Sequence, residues 1–407
     1  MRVTESWWSY GLSCALIGGV AAIIVHANKR HAQEQRDARH AAVRQELAST
    51  SRDGLEKTIL RMEHRLRERP TDASAAESLA DALLRQARVS GNAGLAVRAE
   101  EALNVVLRDE PMSYSARRML GAVYLSQHRF RDAIREAERV RAQRPEDDWN
   151  YGVLGDAHLE LGEYEEAFAA FQHMMDLRPT AGAYARAAYA LELRGRLDAA
   201  VRAMELSTDA TPPSDNESIA WHHAQLGDLY RQLGRTAAAA REYEWAGHSF
   251  PNHPFAERGI AELLEAQGDL HGAAAKFEAL LARSPTPDVA AKLGDLYGRL
   301  GRSADAARAY ALAEAGWRFD MPQPALLARF LADHDRQLPE AVRLVEAAAA
   351  DRHDIFTEDA LAWCYFKSGR LHDALLAIAR AQRTGTRDPV ILSHAAAIRL
   401  ATSQARY

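Results

Sequence analysis

The sequence predicts an all-α solenoid, a stack of helical hairpins, preceded by one N-terminal transmembrane helix. The stretch "LGDLYRQLGR" at 226–235 recurs almost unchanged as "LGDLYGRLGR" at 293–302. A fixed period of this kind is typical of repeat arrays, which grow by stacking. The transmembrane helix is predicted from residues 6–28, which contain no Lys, Arg, Asp or Glu. Glycines at matching places of the repeated motif are mostly 33 or 34 residues apart, at Gly162, Gly195, Gly234, Gly268, Gly301 and Gly369.

Charge and cysteine usage exclude several classes of function. The 407 residues carry 51 Lys and Arg against 56 Asp and Glu, a formal net charge of −5, so no nucleic-acid partner is predicted. Residues 28–70 hold eleven basic and seven acidic side chains, and the rest of the chain is acidic. The two cysteines, Cys14 and Cys364, cannot build a disulfide framework or a four-ligand metal site. No cofactor and no metal site are predicted.

Residues 1–9 form a short tail, and residues 10–28 are predicted to be a membrane anchor. A helix rises about 1.5 Å per residue, so the uncharged stretch reaches roughly 34 Å, enough to cross a hydrocarbon core of about 30 Å. Trp7 and Lys29 lie where the two membrane interfaces would be. A cleavable signal peptide is the alternative, because residues 25–27 match a small-residue cleavage site.

Residues 29–53 form a basic, charged neck that is predicted to be helical and to orient the anchor. Basic side chains cluster just after the uncharged stretch, whereas only Arg2 precedes it. Because positive residues favour the cytoplasmic side, we expect a single-pass inner-membrane protein whose repeats lie in the cytoplasm. A periplasmic location of the repeats is the alternative.

Residues 71–387 are predicted to form about nine repeat units, between a capping helix at 54–70 and a C-terminal capping helix with a tail at 388–407. In the unit 148–180, apolar residues recur at helical spacing on both sides of a central glycine, which indicates a hairpin of two helices. One hairpin cannot bury its apolar face alone, so neighbouring units must stack on it. The unit 321–354 is degenerate, because prolines interrupt it and the usual Gly–Tyr pair is absent.

The spacing of small and aromatic residues in these units resembles the tetratricopeptide repeat. In the unit 220–253, the matching residues are Leu226, Gly227, Tyr230, Ala239, Tyr243 and Pro251. The resemblance implies a right-handed solenoid whose concave groove, lined by the first helix of each hairpin, binds extended or helical peptides. Parts of the chain also resemble membrane-anchored or exported bacterial tetratricopeptide proteins of undefined role, which implies a bacterial source.

Carried onto this chain, the groove positions combine aromatic and charged residues, which are typical of sites that anchor partner side chains. For each aromatic residue, the alternative is that its ring seals a joint between units. Chaperone-tail adaptors of the family bind a terminal carboxylate at the groove positions that Asp156 and Asp228 occupy in this chain. These acidic residues would repel such a ligand, so the predicted protein or peptide ligand is basic or amphipathic. The candidate groove residues are Trp149, Asp156, Tyr189, Trp221, Asp228, Arg231, Phe255, Arg258, Glu262, Asp295, Arg299, Asp359 and Trp363.

No catalytic residues are predicted, because the chain lacks a Gly-rich phosphate loop, an HExxH motif and a Gly-x-Ser-x-Gly motif. The sequence therefore predicts a non-catalytic, membrane-anchored scaffold that binds and organises protein partners at a bacterial inner membrane. The alternative is a periplasmic accessory protein of envelope assembly, secretion or polysaccharide handling. Both hypotheses leave the oligomeric state open.

Overall fold

Twenty α-helices and no β-strand make up the part of the chain that the computed structural model describes, residues 51–320 and 323–404. A π-helical segment, Gly316–Asp320, follows the fifteenth helix. The helices are α1 Ser51–Glu68, α2 Ala73–Ser90, α3 Gly94–Asp109, α4 Tyr114–Ser126, α5 Phe130–Gln143, α6 Asp148–Leu161, α7 Tyr164–Leu177, α8 Ala181–Leu193, α9 Leu197–Ala210 and α10 Asn216–Gln232. They continue with α11 Thr236–Ser249, α12 Pro254–Ala266, α13 Leu270–Arg283, α14 Pro287–Arg299, α15 Ser303–Ala315, α16 Pro324–Asp333, α17 Leu338–Ala349, α18 Ile355–Lys367, α19 Leu371–Ala381 and α20 Pro389–Gln404.

The predicted anchor at 10–28 lies outside the described residues, together with the tail at 1–9 and most of the neck at 29–53. The chain divides after Ser49, and residues 50–407 form one unit. Among the helices that the structure describes, none combines the length and the apolar character needed to span a membrane.

The helices from α2 to α19 pair into nine hairpins, numbered here from hairpin 1 (α2 and α3) to hairpin 9 (α18 and α19). Each first helix packs on its own second helix, and most first helices also pack on the second helix of the preceding hairpin. The single helices α1 and α20 pack on the two ends of the stack. The predicted all-α stack of hairpins is confirmed.

The repeated glycines end the first helix of a hairpin and start the turn to the second. Their φ angles lie between 67° and 87°, in the left-handed region where a Cβ atom is strained. The turns concerned are those at Gly91, Gly162, Gly195, Gly234, Gly268, Gly301 and Gly369. The period seen in the sequence is therefore the period of these turns.

A second set of glycines lets the two helices of a hairpin approach each other. A Cβ atom placed on Gly155 would lie 2.3 Å from the ring of Phe171, and one on Gly294 would lie 2.4 Å from the ring of Tyr310. The aromatic ring of the second helix thus occupies the space of the missing side chain. This contact fills the centre of the hairpin and explains why glycine and an aromatic residue recur sixteen positions apart.

Hairpin 8 corresponds to the degenerate unit of the sequence and departs from the others at its turn. Asp335 and Gln337 have φ angles of 52° and 46° and take the place of the turn glycine. Trp317 of the π-helical segment packs on Phe330 with a ring-centroid distance of 5.3 Å. The hairpin is thereby kept in the stack although the repeat pattern is lost.

Hairpins far apart in sequence also touch. We call the loop between consecutive hairpins, and the loop between hairpin 9 and α20, a connector. The turn of each of the first four hairpins lies against the connector that follows the hairpin five places later. These contacts join the turns at Gly91, His128, Gly162 and Gly195 to the connectors at Thr286, Gln323, His353 and Gly385, respectively. One coil of the solenoid is thus completed after roughly five to six hairpins and rests on the next coil.

The contact at hairpin 3 has the most hydrogen-bond detail. The amide of His353 donates to the carbonyl of Leu161 at 2.9 Å, and the amide of Ile355 donates to the hydroxyl of Tyr164 at 2.9 Å. A Cβ atom on Gly162 would lie 2.3 Å from the carbonyl carbon of His353. The connector therefore lies directly on the turn, where only glycine leaves room for it.

Charged residues of hairpin 1 reinforce the coil contact on hairpin 5. Nη1 of Arg85 lies 2.6 Å from Oδ1 of Asp215, and Nη2 of Arg88 lies 3.0 Å from Oε2 of Glu217. Burial by itself raises the pKa of Glu217, but Arg88 and His253 hold that pKa below its usual value. The carboxylate is therefore stabilised in its charged form inside the coil contact.

Candidate functional site

The charged residues predicted for the groove pair with each other across successive first helices. Asp156 on α6 accepts two hydrogen bonds from Arg186 on α8, at 2.9 Å from Nε and 2.6 Å from Nη2. Such a bidentate pair fixes both side chains and is stronger than a single hydrogen bond. The carboxylate of Asp156 is therefore already paired with an arginine.

A denser cluster joins α10 to α12. Asp228 accepts a hydrogen bond from the hydroxyl of Tyr243 at 2.7 Å and a longer one from Arg258 at 3.4 Å. Nη2 of Arg231 lies 3.0 Å from Oε2 of Glu262. Burial raises the pKa of the Glu262 carboxyl, and Arg231 and Arg258 oppose that rise. Five predicted or neighbouring residues thus form one half-buried network.

The pairing continues toward the C-terminal end. Glu265 on α12 receives Lys292 at 2.8 Å and also Arg299, both from α14. Asp295 on α14 lies 3.5 Å from Nε2 of His334, at the end of α16. Two ion pairs therefore link α12 to α14, and a carboxylate–imidazole contact links α14 to the end of α16. We call the set of pairs between successive first helices the first-helix ladder. Its members are Asp156–Arg186, Asp228–Arg258, Arg231–Glu262, Glu265–Arg299, Asp295–His334 and Asp359–His394.

The last pair of the first-helix ladder, Asp359–His394, joins α18 to the C-terminal helix α20. Both carboxylate oxygens of Asp359 lie 3.0 Å from Nδ1 of His394 on α20, and Asp359 is only 1% exposed. The indole of Trp363 stacks on the His394 ring, with centroids 4.0 Å apart and an interplanar angle of 7°. The two groove residues predicted farthest along the chain therefore fix the end of the stack.

The other predicted aromatic residues, Trp149, Trp221 and Phe255, are half-buried, and the ring of Trp149 contacts the neighbouring hairpin. The ring contacts are with Arg118 for Trp149 (4.6 Å), with His222 for Trp221 (5.1 Å) and with Arg258 for Phe255 (5.2 Å). An arginine over an aromatic face is attracted by the ring quadrupole. Each ring therefore has a neighbour within the chain and still presents an edge to the solvent.

Tyr189 differs from these residues because it lines a cleft between two coils. The cleft has a volume of about 420 Å3 and lies between hairpins 3 and 4 on one side and hairpins 8 and 9 on the other. On its rim, Nη2 of Arg352 donates to Oε2 of Glu160 at 2.9 Å. Most of its wall is apolar or aromatic, formed by Leu159, Tyr164, Tyr189, Leu193, Leu326 and Phe356.

Burial shifts the pKa values of three titratable groups of the cleft toward their neutral forms. Burial raises the pKa of Glu160 to about 7, although Arg352 opposes the rise. Burial, assisted by Arg352, lowers the pKa of His128. Burial also raises the pKa of Tyr189 well above its usual range. The cleft is thus suited to an apolar group that carries a hydrogen-bonding end.

The structure brings the predicted residues into one row along the first helices, with Tyr189 in the cleft, and not into a single pocket. The sequence analysis missed Arg186 and the Glu160–Arg352 pair. A signal for Arg186 was present, because Asp156–Arg186 and Asp228–Arg258 share the same spacing. Within the described residues, no group of three or more His, Cys, Asp or Glu side chains is placed to hold a metal ion.

Comparison with known proteins identifies the family to which two segments of the chain are similar. A family model described as tetratricopeptide repeat matches residues 118–181 and 225–286. The matched segments contain hairpins 3 and 6 and most of hairpins 2 and 5. The comparison with curated proteins finds no match in sequence.

Solved structures with a similar fold include human IFIT1, crystallised as a dimer with PPP-AAAA, at a TM-score of 0.51 and 15% identity over 78% of this chain and 73% of IFIT1. The Cut9–Hcn1 hetero-tetramer of APC/C gives a TM-score of 0.48 and 14% identity over 81% of this chain. The chain spans only 56% of the length of that relative. Yeast Tom70 gives a TM-score of 0.44 and 14% identity, covering 87% of this chain and 86% of Tom70.

At such identities the structural likeness concerns the fold alone. The family match rests on the sequence itself, and it includes the turn glycines Gly162, Gly234 and Gly268. The chain therefore contains tetratricopeptide repeats, in the two segments that the family model matches.

Proposed function

We propose that this protein is a non-catalytic scaffold that binds protein partners along the face of its first helices and is anchored in a bacterial inner membrane by residues 10–28. The observation that carries the proposal is the continuous row of half-exposed aromatic and charged side chains on successive first helices. Aromatic and arginine residues of this kind carry much of the binding energy in protein interfaces. The family's known use of stacked hairpins as binding surfaces supports the same function.

The chemistry of the ladder and the cleft favours an amphipathic segment as the ligand over a strongly basic one. The carboxylates of Asp156 and Asp228 already have arginine partners, so they offer little net negative charge to a basic peptide. The apolar and aromatic wall of the cleft beside Tyr189 suits an apolar side chain. An amphipathic helix or extended segment can place its apolar side in the cleft and its polar side along the ladder.

Photo-cross-linking from two aromatic positions tests the binding face. We would replace Phe255, on the first-helix face, by p-benzoylphenylalanine, and Phe319, which is 78% exposed on the π-helical segment, in a matched control. Cross-linking in cells is expected to yield defined protein adducts from position 255 that are absent from position 319. Equal adducts from both positions, or none from position 255, would contradict the proposed face.

Protease accessibility of a C-terminal tag tests the proposed membrane anchor and the side of the membrane on which the repeats lie. Protection of the tag until full lysis supports a cytoplasmic stack. Digestion after permeabilisation of the outer membrane alone supports the periplasmic accessory instead. Release of the full chain into the soluble fraction without detergent would contradict the anchor itself.

A further inference from the structure

Among the described residues, the contact between turns and connectors is formed by hairpins 1–4 and not by the later hairpins. Hairpins 1–4 each meet the connector five hairpins later, whereas hairpin 5 would need a connector beyond α20. For the turn glycines Gly234, Gly268, Gly301 and Gly369, no described atom lies within 4 Å of a Cβ placed on them. They keep the same left-handed geometry as Gly162 and leave the same space open in front of them.

The opposite edge of the stack holds the matching unpaired connectors. The connectors at 110–113 and 144–147 make their hydrogen bonds only within their own or the adjacent hairpin, as far as the described residues show. Met112 is 70% exposed, and Glu110 and Glu146 are exposed beside it along this edge. An arginine follows three of the open turn glycines, at Arg235, Arg302 and Arg370. Each of these arginines pairs with a carboxylate of the preceding hairpin, so the match between the two edges is one of shape.

The single helices at the two ends of the stack are also complementary, because α20 corresponds to the first helix of a hairpin and α1 to the second. α20 packs on both helices of hairpin 9, as the first helix of a tenth hairpin would. α1 packs on α2, as the second helix of a preceding hairpin would. Each end thus holds half of a hairpin, and each half lacks its own partner helix within the described chain.

The outer face of α20 is apolar. Its inward residues Ile391, Ala395 and Ile398 are buried, whereas Leu392 is 43% exposed and Leu400 is 61% exposed. Exposed Ala396 lies between the two leucines, so the three form a stripe at helical spacing. On α1, Leu60 is 63% exposed among charged residues. An apolar stripe at the end of a repeat stack is expected to be covered, because terminal capping helices normally present a polar outer face.

We propose that the protein associates head to tail with a second copy of itself, so that α20 of one copy and α1 of the next complete a tenth hairpin. In this register the connector at 69–72 of the next copy meets the turn at Gly234. The connectors at 110–113 and 144–147 then meet the turns at Gly268 and Gly301. The second copy is the favoured occupant because both halves of the interface, formed four times within the chain, are unpaired among the described residues of one molecule. Such a heterologous contact does not close and extends the solenoid.

Sedimentation of the purified full chain tests this proposal, which does not depend on the identity of any other partner. The average mass is expected to rise with concentration above that of one chain. Leu400→Glu places a charge in the apolar stripe and is expected to weaken association about tenfold or more. Leu206→Glu is the matched control, because Leu206 on α9 is 48% exposed in the middle of the stack. A single-chain mass at all concentrations, or equal effects of the two variants, would overturn the proposal.

Cross-linking between two different single-cysteine chains tests the direction of the contact. Cys14→Ser serves as background, and Cys364 stays silent because it is buried and burial raises the pKa of its thiol to about 12. A chain with Leu60→Cys is mixed with a chain with Ala396→Cys and treated with a short bismaleimide. A two-chain product is expected only in the mixture. Products from either chain alone would indicate a two-fold interface instead, and the absence of product in the mixture would exclude the head-to-tail contact.

Discussion

Among the residues, the turn glycines share one backbone conformation and differ in what lies against them. Gly162 has the backbone of His353 directly in front of it, whereas Gly268 has open space. Both have φ angles that an alanine adopts with strain, 79° and 87°. The pair therefore separates the intrinsic need for glycine from the need created by the coil contact.

We expect Gly162→Ala to destabilise the protein more than Gly268→Ala. Both substitutions carry the strain of a left-handed alanine, about 1 kcal/mol. At Gly162, the new methyl group also displaces a backbone that cannot move like a side chain, which adds about 1–3 kcal/mol. The urea midpoints of the two variants measure the difference. Equal midpoints would mean that the connector does not lie on the turn.

A buried histidine gives the fold a defined acid sensitivity. His222 is 5% exposed, and its Nδ1 lies 2.8 Å from the hydroxyl of Thr211. Burial lowers the pKa of His222 to about 4, whereas an unfolded histidine has a pKa of about 6.5. The unfolded state therefore takes up the proton first as the pH falls.

His222→Gln is accordingly expected to flatten the pH dependence of stability between pH 6.5 and 4. The wild-type contribution is complete above pH 6.5 and is lost as the pH falls toward 4, by up to roughly 3 kcal/mol. Free energies of unfolding from urea titrations at several pH values measure the slope. His248→Gln, at an exposed imidazole, is the control, and a variant slope identical to wild type would refute the assignment to His222.

Among the elements, the first helices are linked by the ladder, and tyrosines of the second helices support it. The hydroxyl of Tyr243 donates to Asp228 at 2.7 Å, and the hydroxyl of Tyr310 donates to Asp295 at 2.9 Å. Asp228 is 14% exposed and Asp295 is 46% exposed. The two hydrogen bonds have the same place in the repeat but differ in their access to water.

Tyr243→Phe is expected to cost more stability than Tyr310→Phe. Loss of the buried hydrogen bond leaves Asp228 short of a donor and costs about 1–3 kcal/mol, whereas water can replace the donor at Asp295. Both rings keep their packing against glycine, so the comparison isolates the hydroxyl groups. Thermal unfolding of both variants supplies the numbers. A Tyr310→Phe effect as large as that of Tyr243→Phe would contradict the proposed difference in burial.

The elements were largely predictable because their determinants are local. The turn glycines, the glycine–aromatic pairs and the prolines after second helices each act within one hairpin. The residues of the first-helix ladder were partly predictable, but their pairing was not. The sequence marks Asp156 and Asp228 as charged groove residues, and it does not show that arginines thirty positions later neutralise them. Stacking of neighbouring hairpins, and not helix formation, creates these pairs.

In the whole molecule, one coil of the solenoid rests on the next. Arg352 and His353 meet hairpin 3 from nearly two hundred residues away along the chain. The length of a coil depends on a small rotation between successive hairpins that accumulates over several of them. No single motif encodes that rotation, so the sequence analysis predicted the hairpins but not the cleft at Tyr189 or the coil contacts.

Hydrogen exchange of the connectors tests the coil contact most directly. The amides of His353 and Ile355 donate to Leu161 and Tyr164 across the contact, so their exchange requires the coils to separate. The connector at 144–147 provides the internal comparison at protein concentrations too low for association between copies, since no turn of the described chain lies against it. Tyr164→Phe serves as the matched variant, because it removes the acceptor of Ile355 and leaves that of His353.

Peptide-resolved hydrogen exchange of the full chain is therefore the decisive measurement. We predict that the segment 350–356 exchanges at least about tenfold more slowly than the segment 143–149, and that Tyr164→Phe speeds exchange in 350–356 alone. Equal rates in the two connectors of the wild-type chain would contradict the account, because the coils would then not rest on each other.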